Sequence, residues 1–337
     1  MRWMAVLGGL SFLLALPAGA QEVAAPPPLP PPLPPKEEAP RRWTPFLSLG
    51  LTTSLASASN VVGKPDGTTF SLGFKLDARL EYKRGPHEWR TSLQYELQTT
   101  RTPLIDEFVK SLDQLRFETI YELKPLSWLG VFVAASVEAS LLPGEDVRPD
   151  DVTYTITEPD GSKTTAQANR YELTLAFSPL LLTQSTGLVF KFLDRKEGRV
   201  SLRAGVAFAE AFVQDALIVT SAKGTDVQLK RLEDFTEIGA QLRFDAGGII
   251  NQWLHYGFYA DFVFPFYSSR DLGISELDAT VIDISLKLKM KLTQWFSLDY
   301  VLGVRRMPLL EPDFQIWNGL VASFTLEIVN GNKPKAP

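Results

Sequence analysis

From Phe70 to Tyr82 the chain alternates without a break. Phe70, Leu72, Phe74, Leu76, Ala78, Leu80 and Tyr82 carry apolar or aromatic side chains, and Ser71, Gly73, Lys75, Asp77, Arg79 and Glu81 stand between them. A period of two puts every apolar side chain on one face of a strand, whereas a helix, which repeats every 3.6 residues, would scatter them. The same alternation runs through 89–98, 280–291 and 296–305. Weaker copies lie at 46–57, 114–123, 129–141, 199–210, 235–244, 256–266 and 318–328. The pattern therefore predicts an all-β chain of about a dozen long strands, each with one bulky apolar face and one charged face.

Soluble antiparallel sheets alternate too, because one face packs on a core and the other meets water. Here the strands are long, their apolar faces are bulky from end to end, and no helical segment is available to cover them. The predicted connections also alternate in length. Those at 83–88, 124–128, 194–198 and 292–295 are short, and those at 58–69, 100–113, 142–170, 213–233, 267–279 and 307–317 are long. Short periplasmic turns and long extracellular loops are the habit of an up-and-down β-barrel that spans a membrane. The connection at 245–255 is the exception, being longer than a periplasmic turn should be. Tryptophan adds a level mark. Trp43, Trp89, Trp128, Trp253 and Trp295 all fall beside predicted periplasmic strand ends, and only Trp317 sits at a long-loop end. Amphipathic aromatics collect at the bilayer interface, so these five predict an aromatic girdle.

The strands read as 46–57, 69–82, 89–100, 113–123, 129–141, 171–193, 199–212, 234–244, 256–266, 280–291, 296–306 and 317–328. The sixth changes phase at Ser178-Pro179. Tyr171, Leu173, Leu175 and Phe177 share one face, whereas Leu180, Leu182, Leu188, Phe190 and Phe192 share the other parity. Proline lacks a ladder donor, so a bulge is the expected explanation. Single-chain bacterial barrels have even strand numbers, which favours one bulged strand and twelve in all. Fourteen is the alternative if 151–166 or 216–231 join the wall, although Pro159-Asp160-Gly161 is turn chemistry that suits a protruding hairpin.

Ahead of the strands, Met1 to Ala20 has a basic n-region at Arg2, an apolar run from Met4 to Leu16 and the small-residue site Ala18-Gly19-Ala20, the pattern of a cleaved signal peptide. Residues 21–42 form a proline-rich leader, read as disordered and periplasmic, in which 26–35 favour polyproline II. The barrel is assigned to 43–329 and a C-terminal tail to 330–337. The chain has no cysteine, so neither a disulfide framework nor a thiolate metal site holds it together. With 34 basic and 39 acidic residues it presents no basic field for nucleic acid.

Candidate chemistry is sparse. Barrel proteases and phospholipases, as families, use a histidine near the outward end. The two histidines here, His87 and His255, both fall at the periplasmic end, where structural or interfacial roles are expected and catalysis is not. Glu145, Asp146, Asp150 and Asp151 offer oxygen ligands for Ca²⁺, but their spacing is that of a solvated acidic loop. No phosphate loop, metal-ligand cluster or nucleophile elbow is present, so neither enzyme activity nor a cofactor is expected. The inward face carries more information. Its candidate lumen-lining charges include Lys75, Asp77, Arg79, Glu81, Arg90, Glu96, Arg116, Glu118, Asp283, Lys287, Lys289, Lys291, Asp299 and Arg305. Acids and bases nearly balance on this face, with Glu172 counted among the acids. Two pictures fit, one in which opposite charges interlock and close the bore, and one in which water fills it. Twelve strands fall between barrels filled by side chains and barrels with open channels.

From Trp43 to Val329 the chain resembles the bacterial outer-membrane β-barrel superfamily. Ser178-Pro179 with Gly187-Leu188-Val189-Phe190-Lys191 is similar to a segment of porin-like barrels of unknown function. Gly319-Leu320-Val321-Ala322-Ser323-Phe324 resembles part of the terminal signal read by the barrel assembly machinery, although here the chain continues past it. The resemblance implies a place in the outer membrane of a diderm bacterium, with outer-membrane lipid and that machinery as partners. The expected function is a porin-like channel or binder for small solutes. The alternative is a closed barrel that acts through its loops and leader.

Overall fold

The structure, a computed structural model, describes residues 42–58, 67–195, 197–270, 273, 275 and 278–331. The signal peptide, all of the leader but Arg42, and tail residues 332–337 lie outside the described residues. Within them every regular element is a strand. Twelve strands close into one antiparallel barrel, in the ring order β1-β16-β15-β14-β13-β12-β9-β8-β5-β4-β3-β2. They are β1 (Trp43–Ala58), β2 (Gly67–Arg84), β3 (His87–Thr102), β4 (Ile105–Leu123), β5 (Leu129–Ala139), β8 (Leu180–Asp194), β9 (Gly198–Phe212), β12 (Phe235–Ile249), β13 (Leu254–Ser268), β14 (Val281–Lys291), β15 (Phe296–Met307) and β16 (Glu311–Asn330). First and last strands pair from Phe46↔Asn330 to Thr53↔Ala322, which removes the free edges an open sheet would present.

The remaining strands, β6 (Gly144–Thr157), β7 (Lys163–Thr174), β10 (Leu217–Lys223) and β11 (Asp226–Arg231), form a second sheet in the order β10-β11-β6-β7. The segments 151–166 and 216–231 thus stay out of the wall as protruding hairpins, and β11 joins them by pairing parallel to β6. This sheet coils until its edges β10 and β7 touch, around a core of Val152, Tyr154, Ile156, Leu217, Val227 and Leu229.

Three expectations about the wall need correction. The sixth strand is not one bulged strand over 171–193. It is two strands in two sheets, and the chain between them passes Phe177, at φ 60°, and Ser178-Pro179. Tyr171 and Leu173 alternate because they pack on the core of the second sheet, not because they face lipid. Glu172 lies on β7 and so is outside the barrel. The connections read as 100–113 and 307–317 shrink to turns at 103–104 and 308–310, because β3, β4 and β16 continue beyond the alternating region. Above the bilayer a strand no longer needs an apolar outward face, so its pattern lapses while its pairing persists. Finally, the long turn at 245–255 shortens to 250–253. Gly247 and Gly248 give no apolar signal, yet β12 stays paired to Ile249↔His255.

A membrane needs about 9–11 residues of tilted strand. At 18, 19 and 20 residues, β2, β4 and β16 exceed that. The surplus lies at the end away from the girdle, where the second sheet is also inserted.

A charged lumen split into a filled half and an open half

The outside of the barrel is a band of exposed Leu, Val, Ile and Phe, with side chains such as Leu51, Val133, Leu188, Leu320 and Leu326 projecting from the wall. Trp43, Trp89, Trp128, Trp253 and Trp295 are all exposed at the short-turn end. Trp43, Tyr82, Trp89 and Tyr121 occupy one row across β1 to β4 through the pairings Trp43↔Tyr82, Tyr82↔Trp89 and Trp89↔Tyr121. The rings touch, at 4.6 Å between Trp43 and Tyr82 and 6.0 Å between Trp43 and Trp89. The indole N–H of Trp89 donates to the Thr119 hydroxyl at 2.8 Å. Trp317 points inward instead, over Gly303. A closed barrel with an apolar outside, a polar inside and an aromatic girdle inverts the soluble pattern, and it satisfies every backbone group without an edge. The protein is an outer-membrane barrel.

Inside, all fourteen candidate lumen residues face the bore, but they divide into two populations. The first crosses it. Arg305 on β15 donates to Glu138 on β5 at 2.7 Å, and these strands stand six places apart in a ring of twelve. Arg116 on β4 reaches Asp283 on β14 at 3.5 Å, also across the full diameter. Arg116 donates to the Tyr259 hydroxyl at 3.1 Å, and Tyr259 donates to Asp283 at 3.0 Å. Gln114 donates a further bond to Glu138 at 2.9 Å.

Toward the short-turn end a second layer follows. Glu118 lies between Arg203 at 3.8 Å and Arg243 at 3.9 Å. Both arginines reach Asp245 at 3.1 Å, and Arg243 reaches Asp261 at 3.6 Å. Small inward residues on β9 (Ala207, Ala209 and Ala211) leave room for these long side chains.

A third layer closes the same side nearest the short turns. Glu88 and Glu122 are almost fully buried, at 2% and 1% exposure. Arg90 bridges the two. Lys191 binds Glu88 at 3.0 Å and Glu122 at 2.8 Å, and Lys124 also donates to Glu88. Beside them Ile120, Phe132, Ala134 and Val189 form an apolar cluster. At the far end the turn at 308–310 folds over the mouth, so that Leu309 packs with Leu181, Ala211 and Phe235 from the opposite wall. Buried charge is tolerated only when paired and hydrogen-bonded, and the three layers supply counter-charges within themselves. Glu237, buried on the same side, has by contrast no ion-pair partner among the described residues. A cavity of about 100 Å³ remains on this side.

The second population lines the other half. There a cavity of about 1470 Å³ runs along β1, β2, β3 and β13 to β16, from Thr293 and Trp295 at the short-turn end to Gln315 and Trp317 at the other. It is open because the inward residues along the middle of β1 and β16 are small: Ser48, Gly50 and Thr52, then Gly319, Val321, Ser323 and Thr325, with the larger Phe46, Trp317 and Glu327 toward the ends. Its charges are Lys75, Asp77, Arg79, Glu81, Glu96, Asp113, Lys287, Lys289, Lys291, Asp299 and Glu327, together with the face of the Arg305–Glu138 and Arg116–Asp283 partition. Lys75 pairs with Glu96 at 2.5 Å, and Arg79 donates to Asp77 at 2.9 Å. At the short-turn mouth Arg199 approaches Glu81 across the bore to 3.7 Å. The interlocked arrangement thus describes one half of the lumen, and the other half holds an open cavity.

The remaining candidates take no part in these ion-pair layers. His87 accepts or donates one bond with the Tyr121 hydroxyl at 2.6 Å, and His255 lines the cavity at its short-turn end. In the external sheet Glu145 is taken by Arg170 at 2.8 Å and Asp146 by Arg148 at 2.7 Å, so those acids are engaged in ion pairs. Several participants escaped the sequence reading, among them Lys124, which fell in the predicted turn 124–128. Glu88 was placed in a turn although it opens β3, and Asp245 was placed in a loop that the Gly247-Gly248 pair disguised.

No family model matches the chain, and no curated protein sequence matches it. Among solved structures, an outer membrane channel from Pseudomonas putida F1 is similar at 12% identity and TM-score 0.37, covering 88% of this chain and 99% of that one. The translocator domain of the autotransporter NalP from Neisseria meningitidis follows at 6% identity and TM-score 0.36, covering 86% and 89%. The beta domain of the Bordetella autotransporter Brka has 11% identity and TM-score 0.34, covering 85% and 99%. Likenesses this distant say nothing about what this chain does. The fold stands on its own strand pairing.

Proposed function

We propose that the protein is a non-enzymatic, porin-like channel for small solutes. The observation that carries this reading is the cavity of about 1470 Å³ beside β1 and β16, whose lining reaches both ends of the barrel. Its walls are hydroxyl groups, glycine and charged side chains, which favour water over lipid. A bore lined this way conducts hydrated solutes if they bind weakly enough to leave. The filled half acts as a brace: cross-diameter ion pairs fix the cavity's width and confine transport to one side. Single-channel recording of the purified protein in a planar bilayer tests the reading. Discrete conductance steps are expected, and silence at every voltage would remove it.

A further inference from the structure

The cavity's charges do not cancel evenly along its wall. Lys287, Lys289 and Lys291 occupy consecutive inward positions of β14 and line the cavity. Inward neighbours on a strand stand about 7 Å apart, twice the rise per residue. Among the described residues no carboxylate lies within 4 Å of any of these three ammonium groups. The acids that share the cavity with them are already engaged. Glu96 is held by Lys75 at 2.5 Å, and Asp77 by Arg79 at 2.9 Å. Asp299, the register neighbour of Lys289, accepts instead from the Ser297 and Ser323 hydroxyls, each at 2.9 Å. The three ammonium groups thus have no ion-pair partner among the described residues, and their register neighbour Asp299 is held by hydroxyls.

We propose that this lysine ladder makes the cavity anion-selective, favouring small anions that carry carboxylate or phosphate groups. The proposal rests on the channel reading and adds a substrate class to it. A charged groove between low-dielectric walls concentrates ions of opposite sign, and three such groups in a row form a continuous attractive path. Lysine suits transit. Its ammonium is a compact charge on a flexible stem with three rotatable donors, so it passes an anion along, whereas the guanidinium fork of arginine holds one in place. The arginines of this lumen each hold a fixed carboxylate contact, in the partition, in the filled half, and at Arg79 beside Asp77 and Arg199 beside Glu81 in the open half.

The test is the reversal potential of the full-length protein in a planar bilayer across a potassium chloride gradient. Its sign should report chloride passing severalfold more readily than potassium, and citrate added to one side should reduce the chloride current. Replacing all three residues as Lys287→Gln, Lys289→Gln and Lys291→Gln should bring the permeability ratio close to unity and abolish the citrate effect. The Lys→Arg triple variant should keep the anion preference, and heat-modifiable gel mobility shows that each variant has folded. Pores that prefer cations, or a Gln variant with an unmoved reversal potential, overturn the lysine assignment and leave the channel standing. Absence of any conductance overturns both.

Discussion

Removing the Glu138 carboxylate tests whether the lumen is braced across its diameter. In Glu138→Gln the shape is kept, but Arg305, 2.7 Å away, and Arg116, 3.8 Å away, lose the negative charge between them. Breaking a fully buried ion pair costs about 3–5 kcal/mol. The side chains of Glu138, Arg305 and Arg116 keep 14%, 22% and 29% of their exposure and border the open cavity. Solvent screening reduces the cost, so about 2 kcal/mol is expected for Glu138→Gln. Urea unfolding of the barrel refolded in lipid vesicles, followed by tryptophan fluorescence, measures it. The decisive quantity is the coupling in a double-mutant cycle with Arg305→Gln. Residues in direct contact couple by about 0.5–3 kcal/mol, and this pair should give roughly 1–2. The two residues are 167 positions apart and on opposite walls, so coupling can arise only through the bore. If the two substitutions add to within about 0.5 kcal/mol, the bond across the lumen does not exist and the partition fails with it.

Three further outcomes follow from the packing. A Cβ at Gly303 would stand 2.1 Å from the Trp317 ring, so Gly303→Val must push the indole into the cavity. It should lower both unfolding stability, by about 1–3 kcal/mol, and single-channel conductance, and a variant unchanged in both would refute that placement of Trp317. In the external sheet, burial first and the bond to Asp146 second push the Tyr154 phenol up to about 12. Its folded value exceeds the unfolded one near 10, so its contribution to stability is complete below pH 10 and is lost as pH rises toward 12. Tyr154→Phe should remove one late-titrating phenol from the tyrosinate absorbance. The five girdle tryptophans should be quenched most by lipids brominated near the headgroup. Stronger quenching from the acyl-chain ends would place the short-turn end at the wrong depth.

The wall was legible in the sequence wherever lipid acts on it. Phe70 to Tyr82 and Thr280 to Lys291 alternate because each outward residue meets hydrocarbon and each inward one meets charge or water. Legibility failed where that pressure lifts. Beyond the bilayer β4 and β16 keep their ladders but lose the alternation, and the continuing strands read as loops. Gly247 and Gly248 hid the end of β12, and with it Asp245. Tyr171 and Leu173 misled for the opposite reason, since a second core imposes the same period as lipid does. The fourteen inward charges could be placed on a face, because a face is a local property. Their partners could not, because Arg305 on β15 finds Glu138 on β5 only once nine intervening strands have formed and the ring has closed. The division of the lumen into filled and open halves is likewise a property of the closed barrel. Its one local trace is the smallness of the inward residues midway along β1 and β16.

Thiol accessibility tests the central claim most directly, because the chain has no native cysteine. Single cysteines at Thr325 and Lys287 would face the open half, and single cysteines at Ala207 and Gln241, both buried, the filled half. With the barrel in lipid vesicles, a charged, membrane-impermeant thiol reagent should label the first pair within the time that it leaves the second pair unmodified, and labelling should reduce conductance. Equal labelling of all four positions would mean a bore open across its whole width, and labelling of none a bore closed throughout. Either result would contradict a lumen braced on one side and open on the other.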